Sequence, residues 1–254
     1  MLKRTALSIL LLITTISAFA QKRDLNIVFI GNSITYGAGL ADRDHEAPPV
    51  RAAEYLRQQS GIGTVAISNQ GHSGYTTLDF LPGTDAFKGV ENAAQAFENK
   101  NALLIFSIKI GTNDSAIQGP HGSPVSTTDY RTNVKTIVDA LLKEFPGCVV
   151  MINHPVWYSP NTYNGARYLQ EGLDRLQSYI PVLDQLVADY QSAQQKVFIG
   201  DKKAFNYFKK NYDTDLQHED GHQGVFYLHP NAKGAQALGT FWGKALMQVL
   251  KKIK

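Results

Sequence analysis

The chain has 254 residues, with 25 Lys and Arg against 22 Asp and Glu, a formal net charge of +3, and a single cysteine. That near-neutral balance argues against a nucleic-acid partner, and one cysteine excludes an internal disulfide. Cys148 sits in an apolar run, residues 148–152, and reads as a small core residue rather than a nucleophile.

Residues 1–20 have the pattern of an export signal. Lys3-Arg4 form the basic start, residues 6–13 the apolar centre, and Ala18-Phe19-Ala20 a cleavage site before Gln21. The apolar stretch is short for a membrane span, and no later stretch is longer. No cysteine lies near the cleavage site, which argues against a lipid anchor. The expectation is a secreted or periplasmic protein without membrane association after signal removal. The remaining 234 residues carry 23 basic and 22 acidic side chains and are enough for one α/β domain, residues 21–254.

In chain order, the apolar run 25–30 predicts a buried strand that stops at Gly31-Asn32-Ser33. Pro48-Pro49 opens a helical pattern through Gln58, Pro49 standing in its first turn. Residues 61–66 spell a dinucleotide-binding fingerprint, but they precede a strand (64–68) instead of following one. That strand ends in Asn69-Gln70-Gly71-His72-Ser73-Gly74-Tyr75. A helix is predicted near 90–97, and a strand over 102–110 ends in Gly111-Thr112-Asn113-Asp114. Asp129 reads as the N-cap of a helix over 130–145. A fourth strand, 148–152, leads into Asn153-His154-Pro155-Val156-Trp157-Tyr158. Leu169, Leu173, Leu176, Ile180, Leu183, Val187 and Tyr190 mark a long helix that Pro181 is expected to kink or split. A fifth strand covers 197–200. A final amphipathic helix after His229-Pro230-Asn231 turns Leu238, Trp242, Leu246 and Val249 inward.

Five short apolar strands alternating with helices predict a parallel sheet covered on both faces. Right-handed crossovers then bring every strand's C-terminal end to one edge, and with them Ser33, Gly71, Asn113 and the 153–158 segment. An acyl-transfer site needs a nucleophile, a base and donors for an oxyanion. Ser33 is placed as the nucleophile and His229 as the base. The backbone N–H groups of Ser33 and Gly71, with the Asn113 amide, are placed as oxyanion donors.

Gly31-Asn32-Ser33-Ile34-Thr35, Gly71, Gly111-Thr112-Asn113-Asp114 and His229-Pro230-Asn231 together resemble the blocks of the GDSL/SGNH hydrolase superfamily, in order and over nearly the whole mature chain. The resemblance implies a three-layer α/β/α flavodoxin-like fold. It implies Ser33 as nucleophile, Gly71 and Asn113 as oxyanion donors, His229 as base, and no obligatory metal or other cofactor. Asn32 replaces the aspartate of the family spelling. Three residues before His229, where the family has its triad aspartate, stands Phe226. The orienting acceptor is then a backbone carbonyl in a Ser–His dyad, or a carboxylate from Asp220, Glu219 or Asp201.

Three further patterns bear on function. His218-Glu219-Asp220-Gly221-His222 spells a zinc-protease motif, but Asp-Gly in its middle argues against the helix that motif requires. His72 and His154 read as ordinary loop histidines. Trp157, Tyr158 and Tyr163 suggest sugar stacking beside the catalytic edge. With the export signal and no apolar lid, they point to a small acyl ester, acetyl above all, on a glycan. A lipase, a thioesterase or a non-catalytic carbohydrate-binding relative are the alternatives.

Overall fold

The computed structural model describes residues 22–253. The expected export signal, residues 1–20, lies outside the described residues. Five parallel strands form the central sheet in the order β2-β1-β3-β4-β5. They are β1 (Arg23–Gly31), β2 (Ile62–Gly71), β3 (Leu103–Lys109), β4 (Val149–Ile152) and β5 (Val197–Ile199). From Leu25 onward β1 is buried at every position, which is why it reads as an unbroken apolar run. β2 lies at the edge and tolerates Thr64, Ala66 and Ser68.

Helix α1 (Ser33–Tyr36) and helix α2 (Arg43–Glu46) are single turns, and α3 (Pro48–Arg57) starts on the two prolines. The other long helices are α4 (Asp85–Ala96), α5 (Thr127–Glu144), α6 (Leu169–Ser192), α7 (Ala204–Asp215) and α8 (Ala232–Lys252). Right-handed crossovers in this strand order put α3 on one face of the sheet and α4, α5 and α6 on the other. α8 returns to pack along α3, and α7 packs on α8. Leu238, Trp242, Leu246 and Val249 of α8 are buried, with Trp242 stacked on Phe29 of β1 at 5.5 Å between centroids.

Several details differ from the sequence reading. α5 begins earlier, because Ser126 is its N-cap: Ser126 Oγ accepts from the Asp129 N–H at 3.0 Å, and Asp129 lies inside the first turn. Pro181 does not split α6. It faces solvent, so the carbonyl it leaves without an N–H partner can be hydrated. A two-stranded antiparallel hairpin, β6 (Glu219–Gly221) with β7 (Gly224–Phe226), is absent from the sequence reading altogether.

Candidate active site

The site grows from the end of β1. Gly31 stands opposite both Gly71 of β2 and Lys109 of β3, so three strands deliver their following loops to one place. Asn32 caps α1, its side chain accepting from the Ile34 N–H at 3.1 Å. An aspartate would cap equally well, which explains why the Asn32 replacement is tolerated. Ser33 is the first residue of α1, and its N–H has no acceptor within the helix.

His229 lies three residues after the end of β7 and reaches Ser33, with Nε2 and the serine Oγ 2.9 Å apart. On its other side Nδ1 faces both oxygens of Glu219, at 2.9 and 3.0 Å, and the His229 backbone N–H also donates to Glu219 Oε1 at 3.2 Å. With the proton on Nδ1 donated to the carboxylate, Nε2 is left as the acceptor for the serine O–H. Glu219 is therefore the carboxylate beside the histidine. It reaches there because β6 pairs with β7 in a register that sets Glu219 opposite Phe226. This carboxylate stands one strand across from Phe226, whose ring is buried.

The other two candidate acids lie elsewhere. Asp201 caps α7 through the Lys203 N–H at 2.8 Å and pairs with the buried Lys109 at 3.5 Å. Asp220 neighbours Glu219 on a strand, so its side chain faces the opposite way, into solvent.

Asn113, buried after β3, is held at both ends of its amide. Nδ2 donates to the Tyr75 carbonyl at 2.8 Å, and Oδ1 accepts from the Tyr168 hydroxyl at 2.7 Å. These two bonds fix which end is the donor and leave one Nδ2 hydrogen without a protein acceptor. Asp114 ties the same loop to the 3₁₀ turn Thr77–Phe80, accepting from the Thr77 N–H at 2.9 Å and its hydroxyl at 2.5 Å. Burial pushes the Asp114 carboxyl up to about 6.

Gly71 does not offer the donor expected of it. Its N–H is turned back to Asn69 Oδ1 at 3.0 Å, and it is buried where an added Cβ would run into the backbone nitrogen of Tyr36. Gly71 instead lets α1 sit tightly on β2. Three residues later Gly74 has a left-handed φ of +82°, open space around it and an N–H with no partner. It adjoins Tyr75, whose carbonyl holds Asn113.

Trp157 and Tyr158 are buried, so neither offers a face to a sugar. Trp157 packs near Tyr212, and the Tyr158 hydroxyl bonds Ser115 Oγ at 2.9 Å. Tyr163 alone of the three is partly exposed, its ring on His222 at 4.5 Å. His72 stacks on Tyr75, and His154 is buried against Asp184 with Nε2–Oδ1 at 2.9 Å. The zinc-protease spelling falls on a strand and its turn. His218 packs edge-on against Tyr227 while His222 sits at the hairpin tip. Among the described residues no cluster of three His, Cys, Asp or Glu is placed to hold a metal. Burial pushes the Cys148 thiol up to about 12, far from a nucleophile at neutral pH.

The sequence model described as the GDSL-like lipase/acylhydrolase family matches residues 29–237. Solved structures of similar fold include the lipase/acylhydrolase from Enterococcus faecalis, at 19% identity and a TM-score of 0.58 over 90% of this chain and 97% of that one. Est24, a carbohydrate acetylesterase from Sinorhizobium meliloti, is 14% identical with a TM-score of 0.58 over 90% and 100%. A family 3 carbohydrate esterase from Clostridium thermocellum is 16% identical with a TM-score of 0.59 over 91% and 99%. No curated protein sequence matches the chain.

Proposed function

Because the chain belongs to the GDSL-like lipase/acylhydrolase family, we propose that it is an exported serine esterase that removes small acyl groups, acetyl above all, from sugars. The observation that carries this reading is the unbroken relay from Ser33 Oγ to His229 Nε2, at 2.9 Å, and from Nδ1 to Glu219, at 2.9 Å. Ser33 Oγ attacks the ester carbonyl while Nε2 takes its proton, and Glu219 stabilises the imidazolium that results. The Asn113 Nδ2–H and the N–H groups of Ser33 and Gly74 receive the oxyanion. The tetrahedral species collapses, the sugar alcohol leaves with the proton from His229, and an acyl-serine remains. Water, deprotonated by the same Nε2, releases the acid and restores Ser33.

Sugar as the leaving group is supported by the carbohydrate-directed enzymes among the similar folds and by the signal pattern of residues 1–20. Hydrolysis of a short-chain chromogenic acetate tests the chemistry. Wild type should turn over with or without chelator, and Ser33→Ala should lose several orders of magnitude in kcat. A well-folded wild type without turnover overturns the reading, and loss to chelator would show that a metal takes part in the reaction. Export is tested by N-terminal sequencing of the protein recovered outside the cytoplasm. It should begin at Gln21, and a retained Met1 on cytoplasmic protein refutes it.

A further inference from the structure

Arg167 is an arginine whose side chain has found no partner. Every other described arginine has a hydrogen-bond or ion-pair acceptor for its guanidinium: Arg23, Arg43, Arg51, Arg57, Arg131 and Arg175. Arg167 has none; its Nε is buried without an acceptor, as is the Nε of Arg51, but Arg51 is paired through its other nitrogens. The terminal N–H groups of this partly exposed guanidinium have no protein acceptor either, so they are open to an acceptor from outside.

Its place gives that acceptor a chemistry. Arg167 forms antiparallel bridges to both Gln118 and Tyr163, and residues paired in this way present their side chains on one face. The backbone is held independently of the guanidinium, by Arg167 N–H to the Gln118 carbonyl at 2.9 Å and the Gln118 N–H back to Arg167 at 3.2 Å. Tyr163 in turn touches the catalytic hairpin. Its ring lies on His222, and its carbonyl accepts the His222 N–H at 2.8 Å. From His222 back to Glu219 is three residues of chain, about 10 Å if extended, a distance that a short oligosaccharide spans. The next residue, Tyr168, holds the Asn113 amide. Tyr163 and Arg167, both partly exposed, and the exposed Gln118 therefore share one face, beside the hairpin that carries Glu219.

We infer that Arg167 and Tyr163 form a subsite for a carboxylate-bearing sugar, so that the preferred substrate is an acyl ester on a glycan containing a uronic acid residue. The Tyr163 ring stacks on the sugar face, and the planar fork of Arg167 receives the carboxylate. This rests on the esterase reading above for the chemistry, but not for the binding.

The test compares an acetylated oligosaccharide containing a uronic acid with the same compound after methyl esterification of the carboxyl, which removes the charge and keeps the ring. Wild type should favour the free acid by on the order of 10- to 100-fold in kcat/KM, carried by KM. Arg167→Gln should bring that ratio to about one, and Arg167→Lys should recover part of it. Equal rates on the two wild-type substrates, or a preference that persists in Arg167→Gln, overturns the subsite. Stronger preference for a sulfated sugar ester overturns the carboxylate assignment. The wild-type comparison stands even if a variant misfolds. If no ester is hydrolysed, the esterase reading fails alone, and calorimetry with the de-acetylated acidic oligosaccharide still reads the subsite. Affinity present in wild type and lost in Arg167→Gln supports it, and no affinity in wild type refutes it.

Discussion

Glu219 carries more of the site than any residue except Ser33 and His229, since it alone touches both the ring and the backbone N–H of the histidine. Glu219→Gln keeps the shape but allows the amide to favour the wrong imidazole tautomer, and kcat should fall by about 10³- to 10⁴-fold. A loss below tenfold would mean that the histidine is oriented without it. Phe226→Asp should not raise activity, because the acid's place is already filled. It should instead put a carboxylate in a buried site and cost on the order of 3 kcal/mol of stability, read by urea unfolding. A more active, equally stable variant would contradict this. Tyr168 is a positioning residue whose role sequence spacing does not reveal. Tyr168→Phe frees the Asn113 amide to turn, and kcat should drop about tenfold with little change in KM. A rise in KM alone would point to substrate contact instead.

Among the elements, the contact of α1 on the end of β2 is a close constraint on Ser33. Gly71→Ala forces the Tyr36 backbone outward and should cost about 1–3 kcal/mol together with activity, measured by thermal unfolding beside turnover. Full stability and full rate in that variant would show the contact to be slack. The same loop shows where sequence reading stops. β1, β3 and β4 were legible because strands buried on both faces must be apolar throughout, and Ser33 and Asn113 were legible because they follow such strands, while His229 was legible from the His-Pro-Asn that opens α8. Which of two glycines in residues 69–75 has a free N–H was not, since it depends on Asn69 bonding back to Gly71. The β6–β7 hairpin was equally hidden. Its strands of three residues are too short and too polar to show a period, and the pairing of Glu219 with Phe226 that brings the acid to His229 is a register, not a motif. Trp157 and Tyr158 misled for the opposite reason, as aromatic residues at a strand end serve packing as readily as recognition.

At the scale of the whole molecule, one buried carboxyl links stability to pH. Asp114 joins the loop after β3 to the turn that follows Gly74, so it holds together the segments carrying Asn113 and Gly74. Its Oδ2 is buried without a partner, and burial raises the carboxyl from 3.8 to about 6. A carboxyl with a raised folded pKa binds its proton more tightly when folded. Its contribution is therefore greatest below the unfolded value and is lost as pH rises through the folded one. Wild type should lose stability between about pH 4 and about pH 6, by on the order of 3 kcal/mol, relative to Asp114→Asn. Asparagine can still accept from Thr77 and has no charge to desolvate. Above that window the two curves should run parallel. Urea unfolding of both proteins from pH 4 to pH 8 reads the difference directly. A constant gap across the range would mean that Asp114 keeps one protonation state throughout, and that water or a neighbour satisfies its second oxygen.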